Sequence, residues 1–244
     1  MLELSFLGSG NAFAPDGRYW SSLLLNGRYL LDAPPTLLPH LKRLGVSPTD
    51  ICTIFISHFH GDHFLGLPFL LLEYLHMTPR QENLYIVGPP GVEKVIEAAA
   101  ELAFPNLSNS DAGYQRCYLE AEAGRQQTVN DLSFQAFSMK HANAELAAFG
   151  YRLSLADKVV AYSGDTELCD ELFDLAEGAD VLVLDCNYSE SRGLYHVSFA
   201  DVPVIRKRLP PSTTIILTHL EAEPDVSGLE GVLVARDFET FRFP

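Results

Sequence analysis

Residues 57–63 constrain the fold of this chain more than any other feature. Their sequence, SHFHGDH, places three histidines and one aspartate directly after the apolar run ICTIFI. A continuous apolar run of this length is typical of a strand buried on both faces, as found in α/β proteins. The sequence therefore predicts an α/β fold in which a buried strand ends in a cluster of metal-ligand side chains.

The spacing inside this cluster favours metal binding. In an extended chain, His58 and His60 at positions i and i+2 point to the same side and can hold one ion. Gly61 permits a sharp turn after them, so that Asp62 and His63 can face a second position nearby. Imidazole and carboxylate ligands without a thiolate suit Zn²⁺, Mn²⁺ or Fe in an open catalytic site.

A histidine on its own is a much weaker signal. His40 and His76 each lie on a predicted helix without a ligand-type neighbour, and both are interpreted as ordinary surface or core residues. The cluster is different, because burying four such groups together without a cation would leave polar atoms uncompensated. We therefore predict a metal site at residues 57–63.

Further candidate ligands also stand at the ends of predicted strands. His141 follows LSFQAFSMK and Asp165 follows VVAYSG, while Asp185 ends VLVLD and His219 follows TTIILT. In α/β folds, sites assemble in the loops that leave the carboxyl ends of strands, and buried strands hold the ligands rigid. Each of these residues is a weak candidate alone, and together they form a persuasive set.

The charge balance and the cysteines restrict the partners. The chain has 32 acidic residues against 17 lysines and arginines, a formal net charge of −15. That balance argues against broad, sequence-independent binding of nucleic acid, which depends on basic residues. No apolar stretch suits a bilayer span, no signal peptide is recognised, and the four cysteines form no CxxC pair. The sequence therefore predicts a cytoplasmic protein with reduced thiols and no membrane partner.

The order of predicted elements indicates one domain, residues 1–244, made of two similar β/α halves. A strand is predicted at residues 2–8, and a hairpin with an Asn26-Gly27 turn at residues 22–32. LSFQAFSMKH, AAFGYRLSL and KVVAYSGD predict three successive strands, and GVLVARDFETFRF predicts a terminal hairpin. Helices are predicted in PTLLPHLKRLG and, directly after the histidine cluster, in FLGLPFLLLEYLHM.

Two segments predict loops. FPNLSNSDAGYQRC, residues 104–117, has the composition of a surface loop or lid. GSGNAF, residues 8–13, matches the G-x-G-x-x-A form of a dinucleotide-binding fingerprint, but the residues after it, APDGRYWSS, do not open a helix. Its glycines are therefore interpreted as a tight turn beside the site.

Taken in order, these motifs resemble the metallo-β-lactamase superfamily. The resemblance runs nearly the whole length of the chain, from LLDAPP with Asp32 and SHFHGDH to His141, YSGDT with Asp165 and LTHL with His219. It implies a four-layer αβ/βα sandwich, with two mixed sheets flanked by helices. It also implies a dinuclear metal site in the cleft between the two halves.

The family pattern implies a role for each of these residues. It assigns His58, His60 and His141 to one ion, assigns Asp62, His63 and His219 to the other, and makes Asp165 the bridge. Asp62 is in addition a candidate catalytic residue. Asp32 becomes a buried residue that orients the histidine loop by hydrogen bonds.

Within the superfamily, the chain is most similar to the ribonuclease Z and phosphodiesterase branch. FLGSGNAFAPDGRYWSSLLL resembles the opening of that branch, and YHVSFADVPVI matches its histidine in a loop before a helix, here His196. The branch often has Glu where VLVLDC has Asp185, a carboxylate that can still orient His196. Ribonuclease Z also carries a long tRNA-gripping arm, whereas only 23 residues separate His141 from Asp165, enough for two strands and no arm.

The resemblance implies a metal-dependent phosphodiesterase. Two divalent ions, with zinc foremost and manganese or iron as alternatives, would activate a hydroxide that attacks phosphorus in line with the leaving oxygen. His196, held by Asp185, would stabilise the transition state or protonate the leaving group. The expected substrate is a small or cyclic phosphodiester, or the end of a short nucleic acid.

Three alternatives stay open. A ribonuclease Z-type tRNA 3′ processing endonuclease is disfavoured by the acidity and the missing arm, although a homodimer could lend a basic surface from a second copy. A lactone, thioester or β-lactam hydrolase on the same scaffold is the second alternative. A metal-binding scaffold without activity is the third, and it requires an incomplete site. The sequence does not assign the residues that bind substrate.

Overall fold

The structure is a computed structural model that describes residues 1–142, 146–155, 157–189 and 194–244. Across these residues the chain forms fourteen strands and six α-helices. The strands are β1 (Leu2–Gly8), β2 (Ser22–Leu25), β3 (Tyr29–Leu31), β4 (Thr53–Phe55), β5 (Leu84–Gly88), β6 (Arg116–Glu120), β7 (Gln126–Val129), β8 (Leu132–Ser138), β9 (Phe149–Leu155), β10 (Lys158–Tyr162), β11 (Val181–Asp185), β12 (Thr214–Thr218), β13 (Val232–Val234) and β14 (Thr240–Phe243). The helices are α1 (Leu37–Arg43), α2 (Gly61–Phe64), α3 (Leu67–His76), α4 (Val92–Ala103), α5 (Asp170–Ala176) and α6 (Val202–Arg208).

These elements form two compact units. The first unit contains residues Met1–Leu7, Ser21–Ala121 and Phe238–Pro244, and the second contains Gly8–Trp20 and Glu122–Asp237. Each unit has one seven-stranded sheet. Of the helices in the described part of the chain, none is both long and apolar enough to cross a membrane. The prediction that residues 1–244 behave as one domain stays a prediction.

The sheet of the first unit has the strand order β14-β1-β2-β3-β4-β5-β6. Strands β3 to β6 run parallel to one another, while β2 pairs with β3 and β14 pairs with β1 in antiparallel fashion. The predicted hairpin is confirmed, because β2 and β3 pair in antiparallel fashion, with Leu25 opposite Tyr29. Asn26 and Gly27 between them both have positive φ angles, 48° and 69°, as the central residues of a primed turn require. Apolar residues of α1, α3 and α4 pack with those of β4 and β5 in a buried core.

The sheet of the second unit has the order β13-β12-β11-β10-β9-β8-β7. Strands β10 to β13 are parallel, and β7 to β10 form an antiparallel meander. This meander contains the three successive strands that the sequence predicts. Apolar residues of α5 and α6 pack with those of β11 and β12 in a second buried core. The prediction of an α/β fold with two mixed sheets and flanking helices is thus confirmed.

The predicted terminal hairpin is wrong. Strand β13 pairs in parallel with β12, whereas β14 pairs with β1 in the other sheet. The connection ARDFE, residues 235–239, lacks the Asn-Gly or Gly-containing pair that closes a tight hairpin. Asp237 in that connection instead accepts hydrogen bonds from the backbone N–H groups of Ser9 and Tyr19, at 2.8 and 2.9 Å.

Two other sequence predictions are corrected in detail. The helix expected at residues 64–77 is found as α3, which begins only at Leu67, and the end of the histidine cluster forms the separate short helix α2, which ends at Phe64. The predicted loop at residues 104–117 has its last two residues in β6. Strands β6 and β7 were not predicted, because each lies at the edge of its sheet and neither shows a clear alternation of buried and exposed residues.

Candidate metal-binding residues

The first unit carries the histidine cluster at the end of β4. His58 lies in the loop after the strand, and Asp62 and His63 lie on the short helix α2. The ring of His58 is 4.6 Å from the ring of His60 and 4.2 Å from that of His63, measured between centroids. Gly61 does not adopt a positive φ angle, so this turn makes no use of the conformational freedom of glycine.

Asp32 lies beneath this cluster, at the end of β3, and is fully buried. Its carboxylate accepts hydrogen bonds from the backbone N–H and the hydroxyl of Ser57, each at 2.8 Å, and lies 2.8 Å from Nδ1 of His63. Ser57 also contacts Nδ1 of His58 at 3.0 Å. These contacts support the role expected for Asp32, because they fix the ring orientation of one histidine directly and of another through Ser57.

The second unit places Asp165 between two histidines. Its Oδ2 lies 3.7 Å from Nε2 of His141 and 3.5 Å from Nε2 of His219, and all three side chains are buried. His219, directly after β12, has a positive φ angle of 59°, a strained backbone conformation for a residue other than glycine. A carboxylate with an imidazole on either side is a suitable bridging ligand for cations.

Asp185, at the end of β11, contacts two imidazoles. Its Oδ2 lies 2.8 Å from Nδ1 of His196, and its Oδ1 lies 3.4 Å from Nδ1 of His219. The two rings are stacked with centroids 5.3 Å apart and planes 16° from parallel. Asp165, Asp185, His196 and His219 together offer ligand atoms that all lie within 4.8 Å of one another. The sequence paired Asp185 with His196 and missed its contact with His219.

The pKa values of His141 and His196 are shifted in opposite directions. Burial lowers the pKa of His141, and the nearby charge of Asp165 offsets this only in part. Burial also acts to lower the pKa of His196, but the charge of Asp185 and its hydrogen bond outweigh it, so that this pKa lies above its ordinary value. Compared with an ordinary histidine, His141 is thus shifted toward the neutral form, the form in which imidazole binds a metal, and His196 toward the protonated form.

The backbone of Tyr195 orients His141. Nδ1 of His141 lies 2.9 Å from the carbonyl oxygen of Tyr195, and donation to this oxygen leaves Nε2 free of a proton and facing Asp165. Tyr195 has a φ angle of 70°, and its N–H donates to Glu167 at 3.1 Å. The sequence carries no signal for this contact, because a backbone carbonyl can come from any residue type.

The glycine-rich segment at residues 8–13 is a turn, as predicted, and not a dinucleotide-binding loop. A Cβ atom on Gly8 would lie 2.1 Å from the carbonyl oxygen of Trp20, so the close approach of the two backbones requires glycine. Gly10 forms a bridge with Leu220, the residue after His219. The turn therefore lies beside the end of β12.

Some of the remaining sequence predictions concern residues that the structure describes, and others fall on residues that it does not describe. His40 is buried and packs against Phe238, with ring centroids 5.0 Å apart, as a core residue would. Strands β9 and β10 fill most of the interval between His141 and Asp165, as predicted. Residues 143–145 and 156 of that interval, and residues 190–193 of the loop before His196, lie outside the described residues.

The donor set fits divalent cations. Four of the seven residues assigned to metal lie together in the first unit, and three lie together in the second. They offer only imidazole nitrogen and carboxylate oxygen, the ligands that zinc, manganese and iron share. Closely packed buried imidazoles cannot all be protonated without strong mutual repulsion, whereas neutral imidazoles can share cations.

Comparisons with known proteins agree with this geometry. A family model described as Anti-Pycsar protein Apyc1 matches residues 2–230. Ribonuclease Z of Methanothermobacter thermautotrophicus is 26% identical over 227 residues, which cover 75% of this chain and 73% of that protein. The short form of human tRNase Z has a TM-score of 0.79 at 20% identity and covers 99% of both chains. YhfI of Bacillus subtilis, described as a metallo-β-lactamase fold protein, has a TM-score of 0.76 at 16% identity, with coverage of 99% of this chain and 100% of that chain. The fold is therefore the metallo-β-lactamase fold.

Proposed function

The chain belongs to the family of the anti-Pycsar protein Apyc1, and from that premise we propose that it is a metal-dependent phosphodiesterase that hydrolyses a cyclic nucleotide. Family membership supports a cyclic substrate, because Apyc1 degrades cyclic nucleotides. A net charge of −15 favours a small substrate over a long nucleic acid. The proposed partner is thus a small-molecule phosphodiester.

The observation that carries this proposal is the group Asp165, Asp185, His196 and His219, whose ligand atoms lie within 4.8 Å of one another and of which all but the half-buried His196 are buried. We propose that two divalent ions, zinc foremost and manganese or iron as alternatives, are held by the residues His58, His60, Asp62, His63, His141, Asp165 and His219. When bound, such ions would lower the pKa of a bound water and would neutralise phosphoryl oxygens.

The residues of the chain supply orientation and a proton. Asp32 and Ser57 fix the rings of His63 and His58 through the hydrogen bonds described above. Asp185 holds Nδ1 of His196 at 2.8 Å, which directs Nε2 of the same ring away from Asp185. Protonated His196 can therefore donate from Nε2 to the oxygen that leaves phosphorus, or stabilise the charge that develops there.

The experiment compares substrates of different chemistry on one preparation. Metal-loaded protein is incubated in parallel with a 3′,5′-cyclic nucleotide, bis-p-nitrophenyl phosphate, a lactone and a thioester. We expect hydrolysis of the cyclic nucleotide, and its loss in Asp165→Asn, which removes one anionic ligand with little change in shape. Hydrolysis of the lactone or the thioester alone would contradict a phosphodiesterase.

A ribonuclease Z-type activity is the second candidate, favoured by the 26% identity to the archaeal ribonuclease Z. It requires binding of tRNA by a chain with no visible cluster of basic residues beyond the one near Arg206. A second copy of the chain, in a homodimer, would have to supply part of that surface. End-labelled precursor tRNA, tested at several salt concentrations, distinguishes the two candidates, because binding through phosphates weakens steeply as salt increases.

A further inference from the structure

We propose that Phe13 is the platform on which the nucleobase of the substrate stacks. This inference rests on the proposed function and adds to it the residue that recognises the base. Phe13 lies in the turn at residues 8–13, and 87% of its surface is exposed. Two other large aromatic side chains in the described part of the chain are exposed, Phe69 at 46% and Tyr195 at 43%. Phe13 is therefore the most exposed of the three.

Exposure alone would not distinguish Phe13 from a stray surface residue. The turn that presents it, however, is fixed at several points. The side chain of Asn11 donates to the side chain of Asn187 at 2.8 Å, and the oxygen of the same Asn11 amide accepts from the backbone N–H of Phe13 at 3.0 Å. The indole N–H of Trp20 donates to the carbonyl of Ala12 at 3.0 Å. Phe13 is therefore held on a braced turn.

The base of the turn is braced as well. Asp237 accepts from both the backbone N–H and the hydroxyl of Ser9, at 2.8 Å each, and Arg18 donates to the same hydroxyl at 3.1 Å. Gly8 and Gly10 stand where a Cβ atom would collide with Trp20 or Arg18. A side chain presented by a rigid backbone loses little entropy when a ligand stacks on it.

This turn is attached to the strand ends that carry the catalytic groups. Asn187, which holds Asn11, follows Asp185 by two residues. Tyr188, next to Asn187, has its ring centroid 6.0 Å from that of His196. On the other side, the backbone N–H of Asn11 donates to the carbonyl of Leu220, directly after His219, at 3.2 Å. The turn that carries Phe13 is thus bonded to Asn187, before His196 in the chain, and to Leu220, directly after His219.

The chemistry matches a nucleoside phosphodiester. Every nucleobase has a flat π-face, and stacking on an aromatic ring stabilises it without selecting one base over another. The phosphodiester of such a substrate needs the charged groups at the strand ends, while its base needs an apolar surface close by. Two exposed aromatic rings of the second unit lie in segments bonded to residues at these strand ends, and Phe13, at 87% exposed, offers a larger open ring surface than Tyr195, at 43%.

The test separates recognition of the base from hydrolysis. Metal-loaded wild type, Phe13→Ala and Phe13→Tyr are assayed on a 3′,5′-cyclic nucleotide and on glycerol 1,2-cyclic phosphate, which has no base, with product measured by phosphorus NMR. The matched control is Leu102→Ala, which removes an equally exposed apolar side chain, 88% exposed, from α4. Binding of a slowly hydrolysed cyclic nucleotide phosphorothioate is measured by calorimetry on the same four proteins.

For Phe13→Ala we expect KM for the cyclic nucleotide, and Kd for the phosphorothioate, to rise roughly 5- to 160-fold, the range that loss of one base–aromatic stack produces. The kcat for the nucleotide and both constants for the base-free diester should stay unchanged, and Phe13→Tyr and Leu102→Ala should resemble wild type. Wild-type kinetics for Phe13→Ala on the nucleotide, or an equal loss on both diesters, would overturn the role of Phe13 and leave the proposed function intact. If the wild type hydrolysed neither diester, both the role of Phe13 and the proposed function would be overturned.

Discussion

Asp185 shows how one side chain can serve two histidines. Its two oxygens lie 2.8 Å from Nδ1 of His196 and 3.4 Å from Nδ1 of His219. The related branch often has the longer Glu at this position, and the shorter aspartate still reaches both rings because β11 carries it to the end of a buried strand. The orientations of His219, a proposed metal ligand, and of His196, the proposed proton donor, therefore depend on the same carboxylate.

Replacement of His196 by alanine tests the role of this residue in the reaction. We expect kcat for the cyclic nucleotide to fall about 10²- to 10⁴-fold, because a general acid contributes an effect of that size. Metal content should not change, since His196 is not among the seven proposed ligands. His76→Ala, a histidine at the end of α3, is the control and should keep full activity.

An unchanged rate in His196→Ala with full metal content would remove the proton-donor role. A parallel loss of metal and of rate would instead identify His196 as a ligand, which the 3.9 Å separation between its Nδ1 and Oδ2 of Asp165 makes a physical alternative. Steady-state kinetics and elemental analysis on the same preparation distinguish these results.

At the scale of elements, the break between α2 and α3 positions the histidine cluster. The backbone N–H of Gly66 donates to the carbonyl of Ala33 at 2.8 Å, and a Cβ atom on Gly66 would lie 2.0 Å from the carbonyl oxygen of Pro34. Ala33 follows Asp32, and its own N–H donates to the carbonyl of His63 at 2.6 Å. The close approach at Gly66 therefore fixes α2 against the residues that orient it.

Two glycine substitutions test this packing, one at the first residue of α2 and one two residues after its end. Gly66→Ala should lower the free energy of unfolding by at least about 1–3 kcal/mol, because the backbone that it meets cannot move without displacing Asp32. Gly61→Ala places its Cβ 2.9 Å from the tip of Leu65, a flexible side chain, and should change stability by less than about 1 kcal/mol. Urea unfolding of both variants provides the comparison, and equal losses would contradict the account.

The elements that the sequence predicted well are those with local signals. The apolar run before residues 57–63 predicts β4, and the Asn26-Gly27 pair predicts the β2–β3 hairpin, since period and turn chemistry are contained within a few residues. Strand β14 was misassigned because its partner is β1, at the other end of the chain. Gly66 gave no sign of a helix break, because the carbonyl that excludes a side chain comes from a distant segment.

The candidate site likewise has residues that local sequence signals reveal and contacts that only the folded chain creates. Its ionisable side chains could be identified from the sequence, since ligand chemistry restricts them to a few residue types at strand ends. The contacts of Ser57 and of the Tyr195 carbonyl could not, because serine and backbone groups are common everywhere. Phe13 is likewise invisible in the sequence, since its exposure depends on how the turn at residues 8–13 is braced.

At the scale of the whole molecule, the backbone passes between the two units four times, so neither unit is built from one continuous segment. The backbone passes from one unit to the other at Leu7–Gly8, Trp20–Ser21, Ala121–Glu122 and Asp237–Phe238. The first unit needs both ends of the chain to complete its sheet, through the β1–β14 pair. Neither unit is a continuous segment that could form before the rest of the chain is in place.

This connectivity predicts that the protein unfolds as one domain. Fluorescence of Trp20, the single tryptophan, reports on the second unit, and far-UV circular dichroism reports on both. We expect the two signals to follow one urea transition with the same midpoint, as in two-state unfolding. Two separate midpoints would show that the units fold independently and would refute the single-domain prediction.

The central claim, a phosphodiesterase with two metal ions, is tested most directly by titration of metal-free protein with Zn²⁺ while hydrolysis of a 3′,5′-cyclic nucleotide is measured. We predict that the rate rises with added metal and reaches its plateau at about two equivalents per chain, the number that seven imidazole and carboxylate ligands can hold. A plateau at one equivalent would contradict a two-metal site. Absence of hydrolysis at every ratio, with Mn²⁺ and Fe²⁺ as well as Zn²⁺, would contradict the claim as a whole.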